Sequence, residues 1–572
     1  MLNVQVAAAL EETANLLEMT GENVFRIRAY QHAAEAIADL REPVGTILDR
    51  DPKGIPGVGS GIADHVRELL ATGTTKLTVE LHQRFPPEVV ALLQVPGVGP
   101  KLAARVYEEL GVTNLDMLEA AAIDGRLASL PRVGTKSAAN VLKNIEGFRR
   151  RSGRTPIGIA RPLAESIIAA LHEGSNVQRL AAAGSLRRFQ ETVGDLDFVG
   201  VSDEPKSVMD LLVSLPQVDR VLGHGLTKSS VILLGGLQLD LRLVEPRDFG
   251  SLLQHFTGSA QHNIQLREYA VARGLKVSEY GLEDMATSTV RHFDDEEGIY
   301  AALGLQFIPP ELRQGRDEIR LAVRNGLPKL IELSDLKGDL HMHTTWSDGS
   351  ASIEAMVQAA IAKGYSYMAI SDHSAGLGVA RGLTVERLRA QAQEIHEVAA
   401  RYPEIRILTA SEVDIRADGS MDFPDDVLAE LDLVIGSIHS AMNQTADEAT
   451  ARLLKAIENP NVDIIGHPTT RIVGGREGVE FDRPTVFAAA ARTGTALEVN
   501  ANPSRLDLRD TDVRMALEAG AKITIDTDAH VQGNMDLMEF GVGTARRGGA
   551  RAQDVWNAGP IDDLLAWLQR DR

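Results

Sequence analysis

From residue 335 onward the chain repeats one rhythm seven times: a short apolar run ending in polar residues, followed by a helical pattern. The runs are 336–341, 365–372, 405–413, 431–438, 462–466, 496–500 and 522–526. Strands that alternate with helices pair in parallel, and strands covered on both faces read as continuous apolar stretches. The rhythm predicts a parallel α/β barrel, with its chemistry at the face where the strands end. Ligand-type side chains fall there: His341 and His343, Asp348, His373, Glu412, His439, His467, Asp528 and His530. His341 and His343 alternate on one strand face, a chelating spacing. One histidine at a strand end is more often a hydrogen-bonded structural residue. Nine ligand-type residues at six of seven strand ends argue for a metal centre. The chain has no cysteine, so its donors are nitrogen and oxygen, which suit Mn²⁺, Fe²⁺ or Zn²⁺ alike.

The first 150 residues read as short helices broken by Gly and Pro. Three stretches share one pattern: Gly54–Val66, Gln94–Val106 and Ser129–Val141 each run apolar residue, proline, tight turn, amphipathic helix. Such a turn aims backbone N–H groups of a helix N-terminus at an anion, and glycine lets the backbone approach it closely. These resemble helix-hairpin-helix motifs, which hold DNA backbone without reading sequence. The third is degenerate, with Arg132 in place of the first glycine.

Residues 155–250 change to alternating strand patterns. Asp195 and Asp197, two apart on a predicted strand, share one face. Asp240 interrupts the apolar run Leu237–Val244, the second strand of a hairpin turning at Gly235-Gly236. Close carboxylates repel unless a cation sits between them, and three on neighbouring strands suit two divalent ions for in-line nucleotidyl transfer. Gly184-Ser185, followed by Arg187 and Arg188, offers backbone and guanidinium contacts to triphosphate oxygens. Downstream, Ser259 is placed to cap a helix on which Asn263 and Arg267 share a face. Residues 308–338, with paired prolines and mixed charge, read as a connection between two halves.

The 572 residues suggest roughly three to five domains. The net charge of −21 argues against whole-surface attraction to nucleic acid, yet residues 126–161 carry nine Lys/Arg against one acid, a local balance of +8 that can touch phosphate. No apolar run approaches the roughly 18 residues of a membrane span, and the N-terminus lacks the basic start of a signal peptide. A cytoplasmic protein without membrane contact is the default expectation.

The Gly184–Gly200 stretch, with Asp240 and the His255-Phe256-Thr-Gly258-Ser259 segment, resembles family X DNA polymerases. The resemblance spans residues 1–330. It implies that Asp195, Asp197 and Asp240 form the catalytic triad on two Mg²⁺ or Mn²⁺, with Asp195 and Asp197 bridging both metals. It further implies that Gly184, Ser185 and Arg188 contact the triphosphate of a dNTP, that His255-Phe256 and Gly258 line the nucleotide, that Asn263 contacts it, and that Arg267 approaches the template. The family's lyase lysine aligns with His65, and a supporting lysine with Gly61, so no Schiff-base chemistry is expected there.

The barrel resembles the PHP (polymerase and histidinol phosphatase) family, a distorted seven-stranded barrel with up to three metals. By that resemblance one metal takes His341, His343, Glu412 and Asp528. A second shares Glu412 and adds His439 and His467, and a third takes Asp348, His373 and His530. The implied activities are gap-filling DNA synthesis in repair and a metal-dependent 3′–5′ exonuclease, with cleavage at abasic sites in some members. The expected organisation is 1–90 and 91–154 helical DNA-binding regions, 155–248 palm, 249–334 nucleotide-selecting subdomain and linker, and 335–572 PHP domain. The expected partners are gapped or primed DNA and dNTPs, bound by a monomer. A small-molecule phosphatase fused to a DNA-binding module, and a DNA-end scaffold with idle sites, are the competing readings.

Overall fold

The computed structural model describes residues 3–569 except 39, 41–43, 52, 53, 56, 57, 96, 132, 152 and 153. The chain divides into two compact units, Met1–Ser152 and Gly153–Arg572. Pro56, Gly57, Pro96 and Arg132 of the three hairpin motifs lie outside the described residues.

The first unit is helical. Asn3–Met19, Val24–Ala38, Val44–Arg50 and Ser60–Thr72 pack around Leu10, Ile37, Val66 and Leu69. Pro100–Leu110, Leu115–Ile123 and Thr135–Arg151 close over Val98, Val106, Leu118 and Ile145. The three motifs share one backbone hydrogen bond: Val58 N–H donates to Ile55 O, Val98 to Val95 O, and Val133 to Leu130 O, at 3.2, 2.9 and 3.0 Å. Each turn leads into a helix, and the first two helices start behind Gly59 and Gly99 without any side-chain cap. Their leading N–H groups are left for an external acceptor.

The second unit begins with a five-stranded mixed sheet in the order Val177–Ala182, Asp195–Ser202, Gln238–Leu243, Lys228–Leu233, Val218–His224. Asp195–Ser202 and Gln238–Leu243 pair in parallel, and the remaining neighbours are antiparallel. The Gly235-Gly236 turn forms as expected, with both residues at positive φ. Helices Phe249–Thr257 and Ala260–Val271 follow, then a three-stranded antiparallel sheet over residues 275–291. Residues 308–338 are more than a connection. They form the turn Pro310–Leu312 and the helix Glu318–Val323, and Arg313 between them is fully buried on Glu296.

The barrel has seven parallel strands in sequential order: Gly338–Asp339, Tyr367–Ile370, Arg406–Asp414, Leu433–Ser437, Ile464–Ile465, Ala496–Asn500 and Ile523–Asp526. A parallel bridge between Met342 and Ala529 brings the last strand end to the first, so the sheet nearly closes. Most strands are shorter than the apolar runs that announced them, because several runs continue past the ladder into loops that carry the ligands. None of the described helices is long and apolar enough to cross a membrane.

Candidate active sites

The parallel register of the five-stranded sheet sets Asp197 directly beside Asp240, with Asp195 next to Gln238. Gln238 donates to Asp240 Oδ1 at 3.2 Å. Burial, then the charges of Asp195 and Asp240, push the Asp197 carboxyl up to about 6. Three crowded carboxylates with this electrostatic cost fit a divalent-cation site. Gly184 stands over them at φ +60°, and a Cβ there would fall 2.5 Å from Asp197 Oδ2. The turn also places Ser185 and Arg188 in a cleft of about 840 Å³ with Asp195, Asp197, Phe256 and Gly258. Arg188 donates to the Thr257 carbonyl at 2.7 Å. Burial, helped by Arg547 and Arg154, brings its guanidinium down to about 10, still charged at neutral pH.

Of the remaining expected residues, Ser259 takes its expected place and others are arranged differently. Arg187 turns away from the cleft and pairs with buried Glu296 at 2.6 Å. Ser259 caps its helix by accepting from His262 N–H at 3.1 Å. Asn263 is buried, donates to the His255 carbonyl at 2.7 Å and accepts from Gln254 at 3.2 Å, so here it braces the turn. His255 packs tilted against Phe256, whose ring lies 4.9 Å from the Arg242 guanidinium. Arg267 is exposed on the helix Ala260–Val271, which also carries Asn263. Asp240, His255, Asn263 and Arg267 do not line the cleft. In the helical unit, His65 Nδ1 bonds the Tyr30 hydroxyl.

The barrel brings all nine expected ligand residues into one cluster, buried except for Asp348, which is exposed, and His439 and His530, which are half-buried. Glu412, near the end of Arg406–Asp414, lies at its centre. Its Oε1 is 3.2 Å from His439 Nε2 and 2.8 Å from His467 Nε2. Its Oε2 faces His341, His343 and His373 at 3.4, 3.6 and 2.8 Å. Asp528 Oδ1 is 3.1 Å from His343 Nε2, and Asp348 reaches His373 and His530, each at 3.4 Å. Burial opposes ionisation of Glu412, but His439, His341 and His373 outweigh it and hold the carboxyl well below its usual range.

The fit to metal is read from the donors themselves. His341 Nε2, both nitrogens of His343 and both oxygens of Glu412 are buried without a hydrogen-bond partner. Buried polar atoms are otherwise paired, so such atoms mark a site built for another ligand. Three sets of converging donors stand out: His343, Asp348, His373 and His530; His341, His343 and Asp528; and His373, Glu412 and His439. His343 and His373 each belong to two sets and His467 to none, so these sets differ from the expected three-metal partition while drawing on eight of its nine residues. His467 and Asp528 hold positive φ, of 26° and 55°, a strain common where a site dictates backbone geometry.

Sequence reasoning missed the residues behind these ligands. Glu498 Oε1 lies 2.6 Å from His341 Nδ1 and fixes which ring nitrogen faces the cluster. It also accepts the His467 N–H at 2.5 Å. Asp414 accepts the His439 N–H at 3.0 Å, and Asn500 donates to Asp528 Oδ2 at 3.1 Å. A carboxylate interrupting an apolar strand run was the available signal for Glu498.

Comparison with known proteins agrees with this geometry. Family models match at residues 1–75 (helix-hairpin-helix domain), 89–146 (SAM-like helix-hairpin-helix tandem), 252–314 (DNA polymerase beta thumb) and 339–502 (PHP domain). Together with the acidic sheet they define a class of protein, a polymerase body of the family X type joined to a PHP barrel. The chain is 41% identical over 564 residues to the DNA polymerase/3′–5′ exonuclease PolX of Bacillus subtilis, covering 98% of both chains. It belongs to the PolX family, the bacterial family X DNA polymerases with a C-terminal PHP domain. Rat DNA polymerase lambda is 25% identical over 342 residues, 54% of this chain and 56% of that one. A probable phosphatase of Thermoanaerobacter sp. strain X514 is 30% identical over 247 residues, 41% of this chain and 95% of its own length.

Proposed function

We propose that this chain fills short gaps in DNA during repair and trims DNA 3′ ends, using two separate metal centres. The observation that carries the first half is the register of Asp197 beside Asp240 under the Gly184-Ser185 turn. On this reading 155–248 is the palm, 249–334 the nucleotide-selecting subdomain and linker, 335–572 the exonuclease, and 1–90 and 91–154 grip DNA backbone through their hairpin turns.

Asp195, Asp197 and Asp240 would hold two Mg²⁺ or Mn²⁺. Ser185 and Arg188 bind the triphosphate of the dNTP, and Phe256 offers an apolar floor in the same cleft. The Arg187–Glu296–Arg313 network, buried at Glu296 and Arg313, ties this wall to the segment matched by the thumb model and keeps Arg187 out of the anion site. In the barrel, His341, His343, Asp348, His373, Glu412, His439, His467, Asp528 and His530 would hold up to three Mn²⁺, Zn²⁺ or Fe²⁺. Bound metals there supply activated water and charge stabilisation for phosphodiester cleavage. Glu412 presents one oxygen to each side of the cluster and joins its halves. Glu498, Asp414 and Asn500 hold the ligands in orientation. The protein acts as a cytoplasmic monomer on this reading. His65 supplies no amine, so lyase chemistry is absent from that position.

The test is primer extension and 3′-labelled digestion on gapped DNA with separate substitutions. Asp195→Ala should abolish extension and spare digestion, and Glu412→Ala should do the reverse, each by several orders of magnitude. Extension surviving in Asp195→Ala removes the palm assignment. A second reading has one observation in its favour, the similarity of the barrel to probable phosphatases. It forecasts ready hydrolysis of a small phosphomonoester and untouched DNA 3′ ends.

A further inference from the structure

The cleft in front of Asp195 and Asp197 has two walls of different origin. Ser185, Arg188 and Phe256 form one. The barrel forms the other, through Arg471, Arg509 and Arg547 with Asp510. Two of these barrel arginines are spent on acids of the same cleft. Arg471 pairs with Glu191 at 2.7 Å, and Arg547 with Asp510 at 2.9 Å. Arg547 also donates to the Arg188 carbonyl at 2.6 Å, tying the barrel to the backbone of a residue assigned above to the triphosphate.

Arg509 is different. It lies 3.8 Å from Asp512, a carboxylate already held by Arg483 at 3.1 Å, and its Nε makes no hydrogen bond. Ser185 Oγ and Arg188 Nε in the same cleft are likewise buried without partners. Once the internal pairs cancel, the cationic groups left in the cleft are Arg154, Arg188 and Arg509, facing the carboxylates that bind metal. That balance suits a polyanion with bound divalent cations.

We infer that the PHP barrel supplies part of the triphosphate grip of the polymerase, with Arg509 joining Ser185 and Arg188 on the phosphates of the incoming nucleotide. The inference rests on the polymerase reading above. A DNA phosphate has the same chemistry. The nucleotide is favoured because Arg509 shares its cleft with both the Gly184-Ser185 turn and the catalytic carboxylates.

The full-length protein tests it on DNA with a one-nucleotide gap. Arg509→Ala should raise KM for dNTP about tenfold, the scale of one charge-assisted hydrogen bond, with kcat and the KM for DNA little changed. Equilibrium binding of dATP in Ca²⁺ should weaken by a similar factor, whereas deoxyadenosine binding should not change. Arg509→Gln keeps the bulk and should repeat the effect, and Arg509→Lys should recover part of it. Thermal melting checks that each variant is folded. Wild-type KM for dNTP and wild-type dATP affinity in both the Ala and Gln variants overturn the inference and leave the polymerase assignment intact. A rise in KM for DNA alone assigns Arg509 to a DNA phosphate and also overturns it. A wild-type protein that incorporates no nucleotide overturns the polymerase reading, and this inference with it.

Discussion

Gly184 carries two constraints at once. Its φ of +60° is one that side-chain-bearing residues rarely adopt, and a Cβ would press within 2.5 Å of Asp197 Oδ2. The preceding residue, Ala183, donates its N–H to the Asp197 carbonyl at 2.7 Å, so turn and carboxylate move together. Gly184→Ala is therefore expected to cut single-nucleotide incorporation by about 10²-fold or more, since small misplacements at a reacting centre cost that much. Barrel nuclease should be retained. Single-turnover extension at a wild-type rate would show that the turn yields without moving Asp197. At the barrel, Glu498→Ala is expected to lower metal affinity about 10–100-fold, as removal of an orienting partner does. Metal content after dialysis, measured beside 3′-end digestion, checks this, and unchanged content would make Glu498 a packing residue only. The contrast between Glu498 and the nine ligands explains what was legible at this scale. The ligands announce themselves by ending apolar runs at one face of a barrel. Glu498 leaves one local trace, a carboxylate inside an apolar run, but its role and those of Asp414 and Asn500 depend on neighbours on other strands, which the local pattern does not encode.

At the scale of elements, the periodic signals carried well. Seven apolar runs became seven parallel strands, Gly235-Gly236 became the hairpin turn, and Asp195, Asp197 and Asp240 reached adjacent strands. The stretch 308–338 reads as a connection from its prolines and charges, and the part that the local pattern does not show is its buried packing, which depends on Glu296 and His262 elsewhere. That segment supports a pH prediction. His262 is fully buried, with Nδ1 2.8 Å from Glu318 and Nε2 3.1 Å from the Tyr300 hydroxyl. Burial pushes the Tyr300 hydroxyl up to about 12, so it stays protonated. Burial, with Arg313 and Arg188 nearby, holds His262 below its usual value despite Glu318. Glu318 is held below its own usual range: burial opposes ionisation, but the His262 hydrogen bond and charge, together with backbone N–H groups including that of Gly315, outweigh it. A histidine with a depressed folded value stays neutral while the unfolded chain binds a proton, so stability falls as pH drops below about 6.5. The Glu318 contribution is present above its unfolded value and is lost as pH falls through its depressed folded value, in the same direction. Hydrogen exchange in residues 249–334, corrected for intrinsic rates, should therefore quicken from pH 7.5 to 5.5, with a smaller change in His262→Gln. Equal changes in both proteins would place the pH sensitivity elsewhere.

For the molecule as a whole, the seam between the five-stranded sheet and the barrel had no signature in the sequence, because its partners are far apart in the chain and ordinary in type. Phe189 holds a φ of 55° and sets its ring 6.4 Å from Phe540, edge-on, beneath the Arg161 guanidinium at 4.7 Å. It fits there because Gly543, within the helix Met538–Gly548, has no side chain: a Cβ would come 2.1 Å from the Phe189 ring. Gly158 makes the same accommodation for Pro503, at 2.6 Å. Leu506 and Phe540 of the barrel complete the apolar core under the sheet. The seam is thus a packed interior, and close-packed interiors resist added volume as well as lost volume. Gly543→Ala is expected to cost about 1–3 kcal/mol by overpacking. Phe189→Ala should cost about 2–3 kcal/mol, below the usual range for a fully buried Phe because this ring keeps some exposure. If ring and glycine meet as described, the pair should be non-additive. Removing the ring empties the space that the new methyl needs, so the double variant should cost clearly less than the sum of the singles. Urea midpoints of the four proteins give the coupling. The seam also sets the barrel wall of the cleft, through the bond from Arg547 to the Arg188 carbonyl, so Gly543→Ala should impair gap filling before it impairs 3′-end digestion. Strictly additive midpoints, or a nuclease that fails first, would mean that the two halves share a chain without sharing a core.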